Sequence, residues 1–295
     1  MDTKFKNYLI LSKDFLIERD TLRAKNSLQK AYNYASNSDE KISVLFELAD
    51  LAIEEEEFLK AKNYYEIILN IEKQAGAYYG LAMTGEFLGK DLNYSIKNYK
   101  KAINLDKNYD RAHYYLAHLY DKIGNVEEAI YHLKKVIEIK PDDFISLNDL
   151  GSIYEVLDED ELAKNYVEKS LEVNPSYGRA LFNRGVLYKK ENKNDLALKV
   201  YYKAIDNFIS PYLFLNMSAI YIEEKNYKEA LKILNEGLRR HDNSVNLHYN
   251  KACVLSIINK TDEAIEELKS AININSDAKK WASTDPDLID IVGEI

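Results

Sequence analysis

An alanine recurs through the second half of the chain at intervals of 33 or 34 residues, at Ala129, Ala163, Ala197, Ala230 and Ala264. Two further series keep this period: a tyrosine series at Tyr120, Tyr154, Tyr188 and Tyr221, and a series at Ala102, Val136, Ser170, Ala204, Gly237 and Ala271. A period of this length is typical of an array of one repeated supersecondary unit. Such arrays stack their units into one continuous core and generally present binding surfaces.

The composition favours helices and excludes several classes of partner. Only 10 of 295 residues are glycine and 4 are proline, which leaves little material for turn-rich β structure. The net charge is −9 and no segment concentrates positive charge, so we expect no nucleic-acid partner. No stretch approaches the roughly 20 apolar residues that cross a bilayer, and the single cysteine fits a reducing compartment. We therefore expect a cytoplasmic protein with no membrane partner.

Residues 110–143 show the repeated unit most clearly. Apolar and small residues follow one helical stripe up to Tyr120, a turn is indicated at Gly124, and a second stripe runs from about Val126. Pro141 prevents the second helix from continuing. This unit resembles the tetratricopeptide repeat, a 34-residue helix–turn–helix, and the matching residues are Leu116, Ala117, Tyr120, Ala129, Leu133, Val136 and Pro141.

The resemblance implies an all-α fold, a right-handed α-solenoid superhelix of antiparallel helix pairs that forms a single domain over residues 1–295. The same register divides the chain into eight units and a C-terminal cap: 5–41, 42–74, 75–109, 110–143, 144–177, 178–210, 211–244, 245–278 and 279–295. Asp285 and Pro286 together predict the start of a last short helix, from Pro286 to about Val292. We expect this tail to cover the apolar flank of the eighth unit, as a stacked array requires.

The sequence contains no pattern that indicates catalysis, a metal or a cofactor. The five histidines lack cysteine or acidic partners at metal-ligand spacing, and Cys253 has no activating neighbour. No phosphate-binding glycine loop and no nucleophile elbow is present. His113 and His248 occupy a packing position that large side chains fill in other units. We therefore predict a protein that is not an enzyme and holds no cofactor or metal.

A second stripe on each first helix is left free by the packing positions. By resemblance to the family, this stripe lines a concave groove that commonly holds an extended peptide. Asparagine recurs on it at Asn183, Asn216 and Asn250, with Asn148 shortly before. Because a carboxamide can pair with both the NH and the C=O of a peptide backbone, such a row would hold a bound chain. The alternative is that these amides bond to the neighbouring helix.

The free stripe also carries aromatic and basic residues, which are enriched at binding hot spots. They are Tyr79, Arg111, Tyr114, Tyr115 and His118 in the third and fourth units, and Arg179, Phe182, Lys190, Tyr212 and Tyr249 further along. The basic members favour an acidic segment or the carboxyl terminus of a partner. The lysine and asparagine pattern of carboxylate-clamp tetratricopeptide domains, however, is not reproduced.

These features predict a non-catalytic scaffold or adaptor that binds a peptide or protein segment in the groove. One alternative is a self-associating structural protein whose units stack end to end or dimerise near Trp281. A lower-ranked alternative is a peptide-responsive regulatory protein, although no residues are left over for an output domain. The identity of the partner and the oligomeric state are not encoded in any pattern that we find.

Overall fold

The computed structural model describes residues 3–294, and within that range 17 α-helices and one short 3-10 helix form without any β-strand. About four-fifths of the chain, 78%, is helical. The elements are α1 (Thr3–Ile17), α2 (Thr21–Tyr34), α3 (Ser38–Glu54), α4 (Phe58–Ile71), α5 (Ala75–Phe87), α6 (Leu92–Leu105), α7 (Asp110–Lys122), α8 (Val126–Ile139), α9 (Phe144–Val156), α10 (Asp160–Val173), α11 (Gly178–Lys190), α12 (Asn194–Ala204), α13 (Pro211–Glu223), α14 (Tyr227–Arg240), α15 (Val245–Ile257), α16 (Thr261–Ile274), α17 (Asp277–Ala282) and the 3-10 helix Val292–Glu294.

The chain divides into two compact units, Met1–Pro141 and Asp142–Ile295. The first contains α1–α8 and the second contains α9–α17. Within each unit, consecutive helices pack in pairs, and the second helix of a pair packs against the first helix of the next. The predicted all-α solenoid of helix pairs is therefore confirmed. The single domain and the eight repeat boundaries stay predictions.

The alanine series lies at the seam inside each helix pair. All five of its members are fully buried, and the same positions in the preceding pairs are occupied by the equally buried Ala24, Ala61 and Ser95. Ser95 keeps its hydroxyl satisfied by donating to the Ala82 carbonyl oxygen at 2.9 Å. A small side chain is needed here because the two helix backbones of a pair approach closely.

In every pair, the residue two positions after the end of the first helix has the left-handed conformation. These eight residues have φ between 57° and 75° and are Arg19, Glu56, Gly89, Gly124, Asp158, Asn192, Lys225 and Asn259. In the α9–α10 turn, the backbone N–H of Asp158 donates to Glu155 O at 3.1 Å and that of Glu159 donates to Tyr154 O at 2.9 Å. This is the Schellman motif, which satisfies carbonyls at a helix end. In each of its turns, the backbone carbonyl oxygen of the tyrosine-series residue accepts a hydrogen bond from the backbone N–H five residues later.

The C-terminal segment differs from its prediction. No regular helix runs from Pro286 to Val292; the last α-helix is α17, turns follow it, and a 3-10 helix begins at Val292. Asp285 does cap the chain, accepting from the Asp287 backbone N–H at 2.9 Å, but only a tight turn results. Leu288 and Ile291 are both buried in the core of the last helix pair.

Candidate functional site

The predicted binding residues of the third and fourth helix pairs lie together in the first unit. Tyr79 projects from α5, and Arg111, Tyr114, Tyr115 and His118 project from α7. The ring centroids of Tyr79 and Tyr115 are 6.0 Å apart, those of Tyr114 and Tyr115 are 5.4 Å apart, and those of Tyr114 and His118 are 4.5 Å apart. These four rings therefore form one continuous aromatic surface.

Tyr109 extends this surface and was not predicted. Its ring centroid lies 5.3 Å from that of Tyr79, and it occupies the position just before α7 begins. The free stripe of the repeat includes only positions inside helices, so a residue at the helix start was missed. We call the set Tyr79, Tyr109, Tyr114, Tyr115 and His118 the tyrosine surface.

A buried tyrosine supports the tyrosine surface from below. Tyr99 of α6 is fully buried, and its ring centroid lies 5.7 Å from Tyr79 and 6.1 Å from Tyr115. Its hydroxyl donates to Glu86 Oε1 at 2.7 Å. Because aromatic pairs at such distances stabilise one another, the exposed rings are held in place before any partner binds.

The electrostatic environment keeps the phenols of Tyr79 and Tyr109 uncharged. Burial raises the pKa of Tyr79 and of Tyr109, and the positive charge of Arg111 opposes both increases. The phenols are thus neutral hydroxyl groups at neutral pH, able to donate and to accept hydrogen bonds. Arg111 itself is exposed and makes no ion pair with any residue in the range 3–294. Its guanidinium is available to a partner.

Two carboxylates of α3 lie on the neighbouring part of the first unit. Burial is the largest cause that raises the pKa of Glu47 and of Asp50. The negative charge of Asp50 also raises the pKa of Tyr65 and Tyr109, which places it beside the tyrosine surface. Neither carboxylate is ion-paired within the part of the chain that the structure describes. This edge of the surface thus presents a carboxylate group, and the acidic or C-terminal partner segment predicted from the sequence stays a prediction.

In the second unit, the predicted asparagines bond mainly to one another and to a tyrosine. Asn148 of α9 is 2% exposed and its Oδ1 accepts from Asn183 Nδ2 at 2.9 Å. Asn216 of α13 donates through Nδ2 to the Tyr201 hydroxyl at 3.4 Å, and Asn250 is half-buried on α15. Asn148 therefore positions the Asn183 amide, and the predicted row remains a prediction.

Of the other predicted residues of the second unit, one is exposed to solvent and three contact neighbouring side chains. Tyr212 is 60% exposed, and Phe182 packs with its ring centroid 4.9 Å from that of Phe208. The Arg179 guanidinium lies 3.9 Å from Asp149 Oδ1. Tyr249 donates its hydroxyl to Asp285 Oδ2 at 2.9 Å and so contacts the C-terminal segment.

Lys190 is the most fully engaged of the predicted residues. Its Nζ lies 2.8 Å from Glu155 Oε1 and 3.2 Å from both Asp158 Oδ1 and Asp160 Oδ1. It also donates to the Glu155 carbonyl oxygen at 3.1 Å. Bonds to these groups raise the pKa of Lys190. The side chain thus ties the end of α11 to the turn between α9 and α10.

One group of three potential metal ligands lies close together among residues 3–294. Ligand atoms of Cys253, Asp285 and Asp287 are all within 4.8 Å of one another. Burial and the charges of the two aspartates raise the pKa of the Cys253 thiol, so at neutral pH it is protonated and is a poor ligand and a poor nucleophile. The predicted lack of a cofactor or metal stays a prediction.

Comparison with protein families matches four segments of the chain to models of the tetratricopeptide repeat. They are residues 110–143, 145–177, 178–207 and 245–277, all after residue 109. Together with the helix pairs of the fold, these matches identify the repeat. The chain contains tetratricopeptide repeats. A comparison with curated protein sequences gave no match.

Solved structures with the same fold share little sequence with this tetratricopeptide repeat chain. A chain from the crystal structure of the APC/C hetero-tetramer Cut9–Hcn1 superposes with a TM-score of 0.64 and 17% identity, covering 97% of this chain and 56% of that one. Pseudomonas aeruginosa PilF gives 0.63 and 19%, covering 71% and 96%, and yeast Tom70 gives 0.55 and 15%, covering 94% and 64%. This chain thus spans just over half the length of the first. At these identities the likeness shows the fold alone.

The tetratricopeptide repeat is generally a non-catalytic protein-interaction fold. Its members bind proteins or peptides. Among the helices within residues 3–294, none is long and apolar enough to cross a membrane.

Proposed function

We propose that this protein is a non-catalytic interaction scaffold that binds a peptide or protein segment on the first-helix faces of its repeats. The tyrosine surface is the observation that carries the proposal. It gathers four tyrosines and a histidine on α5, on α7 and at the start of α7, all of them at least partly exposed, and Arg111 lies on the same helix α7. Tyrosine and arginine supply large contact area and directional hydrogen bonds at the centre of interfaces.

The neighbouring charges support a partner segment that combines an aromatic or apolar side chain with a basic one. The basic group would lie near Glu47 and Asp50, and a backbone carbonyl or a carboxylate would accept from Arg111. Similar proposals for the second unit rest on Tyr212, Arg179 and the Asn183 amide, which Asn148 positions. The cytoplasmic location and the absence of a nucleic-acid or membrane partner stay predictions.

The test is selection of binding peptides from a random peptide library on the full chain, followed by affinity measurement by calorimetry. We expect Tyr79→Ala and Tyr115→Ala each to weaken a selected peptide by about 30-fold, the size typical of a hot-spot residue. The matched control is Tyr202→Ala, a tyrosine that is 45% exposed on the second helix α12. If all three variants bind the peptides as tightly as the parent chain, the tyrosine surface is not the site.

The second unit is tested with the same library and the combined variant Asn216→Ala, Tyr212→Ala and Arg179→Glu. Peptides that contact these positions are expected to lose binding in this variant. Peptides that are held only by the tyrosine surface are expected to keep it. Survival of every selected interaction in the combined variant would exclude the second-unit face as a site.

Self-association is a second candidate function, and exposed aliphatic side chains on the first helix pair support it. Ile10 is 58% exposed, Ile17 is 82% exposed and Leu22 is 70% exposed. Large apolar groups that face solvent together commonly mark contact sites. Sedimentation velocity over a range of concentrations tests this: Ile17→Glu combined with Leu22→Glu would abolish an assembly formed through α1 and α2. A parent chain that stays monomeric throughout would exclude the candidate.

A further inference from the structure

A cavity of about 880 Å³ lies in the first unit between α6 and α8. Its lining includes three lysines that come from three places: Lys100 on α6, Lys107 in the segment before α7 and Lys135 on α8. The single carboxylate among the described lining residues is Glu138, which pairs with Lys135 at 2.5 Å. The lining therefore carries excess positive charge on a chain whose net charge is −9.

Two buried histidines lie side by side at this cavity. His113 of α7 is 3% exposed and His132 of α8 is 6% exposed, and their Nδ1 atoms are 2.7 Å apart. The Lys107 carbonyl oxygen is 3.2 Å from His113 Nε2 and accepts its hydrogen. The Nδ1 atom of His113 then accepts from the Nδ1–H of His132, so the Nε2 atom of His132 carries a free lone pair.

The fold does not require a polar pair at these two positions. The residues at the same repeat positions in the next three helix pairs are Leu147 and Tyr166, Leu181 and Val200, and Phe214 and Ile233. In the last pair, His248 has a carboxylate partner, since its Nδ1 lies 2.6 Å from Glu267 Oε2. Burying two imidazoles against each other is unfavourable by comparison with an apolar pair. Their presence beside three lysines thus points to a ligand.

We propose that this cavity binds a small phosphate-bearing anion, held by Lys100, Lys107 and Lys135 and coupled to the protonation of the His113–His132 pair. Ammonium groups form strong charge-assisted hydrogen bonds with phosphate oxygens. Asn104 and Asn108 also line the cavity and supply amide hydrogen-bond donors. The volume admits a small phosphate ester as well as inorganic phosphate.

The charges around the histidine pair fix the direction of the coupling. Burial, together with the nearby charges of His113 and Lys100, lowers the pKa of His132 to about 4. Burial also lowers the pKa of His113; Lys135 and Lys107 act in the same direction, whereas Asp106 and a bond to the Lys107 backbone oppose it.

The remaining groups around the pair include one further charged residue. The Glu128 carboxylate lies 3.7 Å from His132 Nε2, and the ring centroids of Tyr120 and Tyr131 lie 5.7 Å and 5.0 Å from that of His132. A bound dianion offsets the lysine charges, so the complex takes up a proton more readily than the free protein. By linkage, affinity for the dianion increases as pH falls.

Calorimetry and imidazole NMR of the full chain test this with inorganic phosphate and glycerol phosphate at pH 7.5, 6.5 and 5.5 and matched ionic strength. Both probes are expected to bind and to shift the imidazole resonances of the pair. Because the second pKa of a phosphate group is about 6, affinity is expressed per dianion, and the dianion is expected to bind at least about threefold more tightly at pH 5.5 than at pH 7.5. Binding of neither probe at roughly 10 mM would overturn the proposal. Binding of a phosphoserine peptide alone, without the free anions, would also overturn it.

Two sets of variants test the role of the lysines and the role of the histidines separately. Lys100→Gln combined with Lys135→Gln is expected to weaken phosphate by at least about tenfold, because two charge-assisted bonds are lost. The control Lys232→Gln changes a lysine that is 72% exposed on α14 and pairs with Glu229, and it should leave the affinity unchanged. If the double variant binds phosphate as tightly as the parent chain does, the binding is that of an adventitious ion only and the proposed site is wrong.

His113→Leu combined with His132→Tyr reproduces the residues found at Leu147 and Tyr166, so a folded protein is expected, with helix content checked by circular dichroism. This variant keeps the three lysines. We expect it to bind the phosphate dianion with an affinity that, after allowance for the titration of phosphate itself, no longer changes between pH 7.5 and 5.5. An unchanged pH dependence would overturn the role of the histidine pair.

Discussion

At the scale of single residues, two kinds of position recur along the chain. Some keep a small residue for packing, and others change residue type from unit to unit. The alanine series is the packing case, and its burial agrees with the sequence because a small side chain that recurs at a fixed period marks a close contact between helices. Asn148 shows the opposite case: its residue type suggested a ligand contact, yet it is 2% exposed and bonds to Asn183. Only neighbouring side chains decide where an amide points, and these come from another helix pair.

His132 makes the stability of the chain depend on pH. Its pKa is lowered to about 4 in the folded chain from an ordinary value of 6.5. Between these values the unfolded state binds more protons, so the free energy of unfolding falls as pH decreases from 6.5 towards 4, by up to about 3 kcal/mol. Urea unfolding at several pH values measures this loss. In His132→Tyr the loss should be smaller; curves that run parallel in the two proteins would contradict the prediction.

Gly151 is required by a close approach between α9 and α10. A Cβ atom at this residue would lie 2.7 Å from Val167 Cγ2 and 3.1 Å from the Ala163 carbonyl oxygen. We therefore expect Gly151→Ala to destabilise the second unit by about 1–3 kcal/mol, as overpacking of a core does. Gly293→Ala is the control, since nothing lies within 4 Å of its Cβ. Equal unfolding midpoints for both variants would show that the backbones separate without cost.

At the scale of elements, the sequence located the helices better than the turns. The apolar periodicity and Pro141 predicted α7 and α8, and Gly124 indicated their turn. Six of the eight left-handed turn residues are not glycine, however. At those six turns the Schellman hydrogen bonds impose the left-handed conformation on a residue other than glycine. The residue type therefore does not predict the turn. The prediction of a C-terminal helix from Pro286 was wrong, because burial of Leu288 and Ile291 outweighed the capping signal of Asp285.

Lys225 is a turn residue whose conformation costs energy. It has φ 57°, where a β-carbon is unfavourable but glycine is not. We expect Lys225→Gly to stabilise the second unit by about 0.5–1 kcal/mol. Asn192, also with φ 57°, belongs to a residue type that tolerates this region, so Asn192→Gly should change stability little. Thermal unfolding midpoints of the two variants test this. A lower midpoint for Lys225→Gly than for the parent chain would show that the left-handed conformation of Lys225 is not strained.

The C-terminal segment covers the core of the last helix pair through a few side chains. Leu288 is fully buried against Ala252, Leu255 and Leu268, whereas its neighbour Ile289 is 51% exposed. Leu288→Ala is expected to cost about 2–5 kcal/mol, and Ile289→Ala less than about 0.5 kcal/mol. Chemical denaturation followed by the fluorescence of Trp281 measures both. Similar losses in the two variants would show that the cover is not specific to Leu288.

At the scale of the whole molecule, stability in a repeat protein is a sum over neighbouring pairs. Each compact unit has its own buried residues, so the fragment of residues 142–295 is expected to fold by itself. Circular dichroism and the cooperativity of thermal unfolding test this on the isolated fragment. A fragment without helical structure would show that the second unit depends on the first. The repeat and the helix pairs could be predicted from the sequence at this scale, because many repeated positions agree. The partner could not, because the aromatic and basic residues of the free stripe differ from one unit to the next.

All eight left-handed turn residues are exposed to solvent, and this gives the chain a regular set of places for reporter groups. The only native thiol, Cys253, is half-buried, and after its replacement a cysteine introduced at any turn would be the sole labelling point. A fluorophore at Glu56, Asp158 or Asn259 would then report on its own helix pair. Hydrogen exchange averages over segments, whereas such labels would follow, pair by pair, the order in which the array comes apart under denaturant or force.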